Sequence, residues 1–188
     1  MKEIFLGLSI LFEIVAYALY LKAIFTGKAK PHRTTRLVIL VIANVTALSL
    51  FAQQNYIVFW LASVAVVFSW IIFLLSFKYG MGGWEKTDIA CLVIAIGGIV
   101  LWKATDDPFL ALYAAILADF TGMIPTLLKT YHKPHTEVWY FFFLSGVSAL
   151  CNIVALPFFT FQQYAYPMYI LFINLLMVIL IRRKGFQK

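Results

Sequence analysis

The chain has 188 residues, of which 63% are hydrophobic and 12% charged, and its net charge is +7. A soluble domain carries about 45–50% apolar and about 25% charged residues, and at this size roughly a third of its unfolded surface stays in water, so a soluble fold, disorder, coiled coil and collagen are excluded. The mean hydropathy of +0.92 leaves an all-α polytopic membrane protein, because the apolar segments are too long and too little alternating for a β-barrel.

A membrane-crossing helix needs about 20 mostly apolar residues. Seven segments qualify: 4–25, 37–52, 57–77, 89–102, 109–128, 138–159 and 164–181. In lipid each must close its own backbone hydrogen bonds, which makes helix the only assignment. The first segment is too long for a signal-peptide core and no small-residue cleavage site follows it, so it reads as a retained helix. Lys28, Lys30, Arg33 and Arg36 follow helix 1; Lys78 and Lys86 follow helix 3; Lys129 and Lys133 follow helix 5; Arg182, Arg183, Lys184 and Lys188 follow helix 7. The opposite connections hold Lys2, Lys103 and the polar turns Gln53-Gln54-Asn55 and Gln162-Gln163. Positive charge collects in the cytoplasm, which predicts an integral membrane protein with its N-terminus outside and its C-terminus cytoplasmic. Trp84, Trp102 and Trp139 fall near helix ends as interfacial anchors.

Cys91 and Cys151 lie singly in apolar runs, and His32, His132 and His135 lie in polar loops. No C-x-x-C, H-E-x-x-H or glycine-rich phosphate motif occurs, so no metal or cofactor is expected. The loop charge is explained by membrane orientation, which removes the case for nucleic acid.

An internal repeat emerges from the connections. Lys30-Pro31-His32 follows helix 1 and Lys133-Pro134-His135 follows helix 5, whereas Gln53-Gln54 follows helix 2 and Gln162-Gln163 follows helix 6. Asn44 and Asn152 precede the two Gln pairs at nearly equal distances. These matches predict one three-helix repeat over 1–80, a linker helix over 81–106 and a second repeat over 107–188. An odd linker leaves the two triplets parallel, with corresponding helices lining a cavity between them.

The three-plus-one-plus-three pattern, the outside N-terminus and the Pro125-Thr126 step late in helix 5 resemble the SWEET and PQ-loop transporter superfamily. This chain carries Pro125-Thr126 where that family carries Pro-Gln. The resemblance implies a seven-helix fold with proline hinges, and Asn174 resembles the substrate-contacting asparagine of the SWEET proteins.

Glu13 and Asp119 lie near the middle of helices 1 and 5. A charge at the bilayer centre costs at least about 2.5–3.5 kcal/mol, so such residues face a protein interior or a wet cavity. A buried hydrogen bond between helices is the structural alternative. Ser9, Glu13, Tyr17 and Tyr20 share one face of helix 1, and Ala115, Asp119, Gly122 and Thr126 share one face of helix 5. Asn44, Asn152 and Asn174 either bridge helices or bind a ligand. Pro125 and Pro157 are expected to interrupt helices 5 and 6 and act as hinges. The substrate-binding candidates are therefore Glu13, Tyr17, Asn44, Asp119, Thr126, Asn152 and Asn174. The Lys-Pro-His loops read as helix stops with cytoplasmic charge.

The expected function is transport of a small polar solute by alternating access, either coupled to protons or as simple uniport. A seven-helix receptor or cargo-binding protein on the same scaffold is the alternative. No nucleophile–base pair is visible, and helix 7 has no lysine for a Schiff base, so no enzyme is expected. The expected partners are a small-molecule solute and membrane lipid. A homo-oligomer is compatible with a complete pathway in one chain but is not required by it.

Overall fold

The computed structural model describes residues 2–81, 86–105, 107–157 and 160–183. Trp84, Phe159, Lys184 and Lys188 lie outside the described residues, as do the side chains of Cys91, Trp102, Lys103, Ala115 and Gln162. The chain is all-helical: α1 (Lys2–Phe25), α2 (Arg33–Ala52), α3 (Tyr56–Tyr79), α4 (Lys86–Thr105), α5 (Pro108–His132), a 3-10 turn (Pro134–Thr136), α6 (Trp139–Ala155) and α7 (Phe161–Arg182). Among the described residues there is no β-strand, only an isolated bridge between His32 and Met81.

Local chemistry sets the helix ends. Gly27 adopts φ 72° after α1, the left-handed conformation that glycine reaches without strain. Asn55 caps α3 by accepting from the Val58 N–H at 3.4 Å. Asp107 caps α5, its Oδ1 accepting from the Phe109 N–H at 2.8 Å, and Pro108 occupies the first helical position, where its missing N–H costs nothing. Gly80 closes α3 where the chain is tight: a Cβ there would run into the carbonyl oxygens of Ser76 and Pro31.

One helix end differs from expectation. α6 stops at Ala155, so Pro157 lies beyond it and ends the helix instead of interrupting it. The cause is local: the residue before a proline is driven out of the helical region, and Leu156 has ψ 137°. Prolines do stand inside α5 at Pro125 and inside α7 at Pro167.

Among the described residues five segments are long and apolar enough to cross a membrane: α1, α2, α3, Leu112–His132 of α5 and Gln163–Arg182 of α7; α6 is a shorter apolar helix. α3 is apolar on all sides. Val58, Leu61 and Ile72 are buried, while Trp60, Val67, Trp70, Leu74 and Phe77 are exposed. A helix apolar all round belongs in a large core or in lipid.

The chain forms two compact units, Met1–Lys30 with Leu127–Lys188, and Pro31–Thr126. In the first, α1 packs on α6 and α6 on α7. In the second, α2 packs on α3 and α4, and Ala118 of α5 joins Val38, Ile42 and Val45 of α2 in a core that Leu92 of α4 flanks. α5 passes from the second unit to the first between Thr126 and Leu127, directly after Pro125. The units follow packing and do not bear on whether the halves expected at 1–80 and 107–188 are duplicated.

Candidate functional site

The polar chemistry of the first unit is concentrated where α1 meets α6. Ser9, Glu13, Tyr17 and Tyr20 are all buried and share one face of α1. Phe141, Ser145, Ser148 and Asn152, spaced by four, three and four, supply a matching buried face of α6. The pairing is antiparallel and keeps one register. The Ser148 hydroxyl donates to the Ser9 carbonyl at 2.6 Å. One turn along α1, the Ser145 hydroxyl donates to Glu13 Oε1 at 3.1 Å. One turn further, the Phe141 ring lies 5.3 Å from that of Tyr17 and 4.5 Å from that of Tyr20.

Glu13 is only 5% exposed, and among the described residues its Oε2 has no hydrogen-bond partner. The adjacent serine hydroxyls are already engaged, since a serine has one O–H to donate: Ser145 on Oε1, Ser148 shared between the Ser9 carbonyl at 2.6 Å and the Glu13 carboxyl, and Ser9 on the Leu6 carbonyl at 2.9 Å. The carboxyl group therefore keeps open acceptor capacity in a dry seam, where an unmet polar group is costly.

The seam ends in an ion pair that the sequence did not single out. Lys129 Nζ lies 2.6 Å from Glu137 Oε1, and the two side chains are 10% and 1% exposed. Tyr20 donates its hydroxyl to Glu137 Oε2 at 3.1 Å. Lys129 also donates to the Lys30 carbonyl at 3.2 Å, and the Lys30 N–H donates to the Thr136 carbonyl at 3.3 Å. These bonds draw the Lys30 end of the first Lys-Pro-His loop against the second. Seven residues separate Glu13 from Tyr20, about 10 Å along the α1 axis.

The structure brings Glu13, Tyr17 and Asn152 to this seam. Asn174 lies on α7 in the same unit, packed where α6 has Gly146: a Cβ on that glycine would lie 3.7 Å from the Asn174 Cβ. Its amide donates back to the Ile170 carbonyl of its own helix at 2.8 Å. Asn44, Asp119 and Thr126 belong to the second unit. Asn44 makes the same local bond, to the Leu40 carbonyl at 2.8 Å. Asp119 is half-buried and Thr126 is buried. Pro125 lies within α5, and Pro157 accepts a hydrogen bond from Lys2 through its carbonyl at 3.1 Å.

Ser145, Ser148 and Phe141 were also missed, although with Asn152 they too fall at the three-and-four spacing of a single helix face. Among the described residues no group of three His, Cys, Asp or Glu residues is placed to hold a metal.

The fold and seam define an all-helical protein with several membrane-length helices and one buried acidic seam. Comparison with protein-family models, curated proteins and solved structures gave no match to the chain.

Proposed function

We propose that the chain is an integral membrane transporter that moves a small polar solute by alternating access, with Glu13 at its polar centre. One observation carries the proposal: a carboxyl group buried between α1 and α6 among serine hydroxyls, with Oε2 unmet among the described residues. An acid within an apolar helix is costly and marks a solute or ion path by default. The proposed fold is the seven-span, three-plus-one-plus-three duplication, which resembles the SWEET and PQ-loop transporters in topology.

The proposed orientation has the N-terminus outside and the Lys-Pro-His loops and C-terminus in the cytoplasm. Two sets of contacts support placing the basic connections at shared ends. In the first unit Lys129 reaches the Lys30 carbonyl, and Arg183 donates to the Tyr131 carbonyl at 3.1 Å. In the second, Arg33 Nε donates to the Ser76 carbonyl near the end of α3 at 3.1 Å.

The test is flux into liposomes across sugars, amino acids, vitamins and nucleosides. Net flux that Glu13→Gln reduces at least about tenfold, a barrier change of about 1.4 kcal/mol, is the expected result. Proton coupling predicts pH-driven accumulation that Glu13→Gln or Asp119→Asn abolishes while exchange survives; uniport predicts no such accumulation. Saturable binding without flux replaces the transporter by a receptor.

A further inference from the structure

The α1–α6 seam is layered. A polar layer holds Ser9, Ser148, Glu13 and Ser145. An aromatic layer holds Tyr17, Tyr20 and Phe141. An ionic layer holds Glu137 and Lys129, joined to the aromatic layer by the Tyr20 hydroxyl. Any molecule that travels from the Lys-Pro-His end towards Glu13 along this seam must displace the last two layers, because Tyr20 is fully buried and Glu137 nearly so.

We infer that Lys129, Glu137 and Tyr20 form a lock that closes the loop end of the seam and opens to expose Glu13. The inference rests on the transporter proposal for its purpose, but its mechanics concern this chain alone.

Three features support a lock over simple packing. Both carboxylate oxygens of Glu137 are engaged, one by Lys129 and one by Tyr20, so the closed state is fully satisfied. A buried ion pair is no more stable than well-packed apolar residues of the same shape. What it adds is a pair of distinct states: paired and dry, or separated and hydrated. Finally, Lys129 stands one turn beyond Pro125 in α5. The proline has no N–H to give to the carbonyl four residues earlier, which weakens the join between the rest of α5 and the last turns that carry the lysine.

The test uses the full chain in detergent, with Cys91→Ala and Cys151→Ala, and Ser145→Cys as reporter beside Glu13. The measured quantity is the rate of modification by a small cationic methanethiosulfonate. Glu137→Gln and Lys129→Gln are each expected to raise that rate at least about tenfold, an opening shift worth about 1.4 kcal/mol. The charge-reversed pair Lys129→Glu with Glu137→Lys is expected to slow it again. A second reporter, Thr46→Cys, buried in α2 of the other unit, is expected to stay slow throughout. Unchanged rates at 145 overturn the lock, and so does an equal rise at 46, which signals general loosening. Should either charge variant not fold, Tyr20→Phe removes one hydroxyl and leaves the ion pair, and its labelling rate decides in the same way. No solute is needed for the labelling. Faster labelling without flux keeps the lock and removes the transporter; flux with unchanged labelling does the reverse.

Discussion

Removing Lys129 alone should cost more than removing it together with the charge of Glu137. In Lys129→Met the carboxylate of Glu137, whose side chain is 1% exposed, keeps only the Tyr20 hydroxyl. A buried charge stranded in this way costs about 3–5 kcal/mol. Glu137→Gln keeps an oxygen for one partner and loses a charge-assisted bond, for about 1.5–3 kcal/mol. In the double variant no charge is stranded: the glutamine oxygen accepts from Tyr20, and its amide group is free to donate towards the Lys30 carbonyl that Lys129 has vacated. The double variant should therefore be more stable than Lys129→Met, with a coupling energy of at least about 1.5 kcal/mol between the two sites. Unfolding in a denaturing detergent, followed by loss of helical circular dichroism, measures all four corners of the cycle. Additive single effects, with coupling below about 0.5 kcal/mol, would refute the reasoning, because that is how an exposed, hydrated pair behaves.

Gly80→Ala should destabilise the chain by about 1–3 kcal/mol, since the added methyl meets the Ser76 and Pro31 carbonyls; an unchanged melting temperature would contradict that close approach. Asp107→Ala should cost about 0.5–2 kcal/mol through loss of the α5 cap, read in the same unfolding assay, and Asp107→Asn should restore most of it. Cysteines placed at Lys30 and Lys133 should react from the cytoplasmic side and one at Gln54 from the outside; labelling at 54 from the cytoplasm alone would reverse the orientation.

The helices were legible in the sequence because lipid permits little else for a run of apolar residues. Each expected segment lies within or close to a helix of the structure; of the shortest runs, α2 lengthens at its start to Arg33 and α4 at both ends, from Lys86 to Thr105. The exception is α6, where apolar composition continues past Ala155 but Pro157 stops the backbone. Hydropathy reports the solvent and the proline reports the hydrogen bond, and there the second prevails. The α1 face was legible from its three-and-four spacing. Its partner has the same kind of spacing, but two serines in an apolar helix read as ordinary packing until Glu13 stands opposite them. The Lys129–Glu137 pair was hidden for a related reason. Each residue falls at a loop margin, where charge is ordinary, and only the turn at Pro134–Thr136 brings them together.

The compact units bear on how a duplicated chain would be used. Under the proposed duplication α1 corresponds to α5, and α2 to α6. The first unit pairs α1 with α6. The second brings Ala118 of α5 into a core with Val38, Ile42 and Val45 of α2, and a Cβ on Gly122 would meet the Val38 side chain at 3.0 Å. Each unit then joins the first helix of one half to the second helix of the other. The two seams share that plan but differ in chemistry. In the first unit Ser9, Glu13, Ser145 and Ser148 face one another; in the second the described core sets Val38, Ile42 and Val45 against Ala118. Apolar packing of small residues gives a close, permanent contact in lipid, whereas hydroxyls around an unmet carboxyl oxygen give a contact that gains when a polar partner arrives. Under the proposed duplication this contrast, together with the unmet Oε2, is what places Glu13 at the centre of the proposed mechanism.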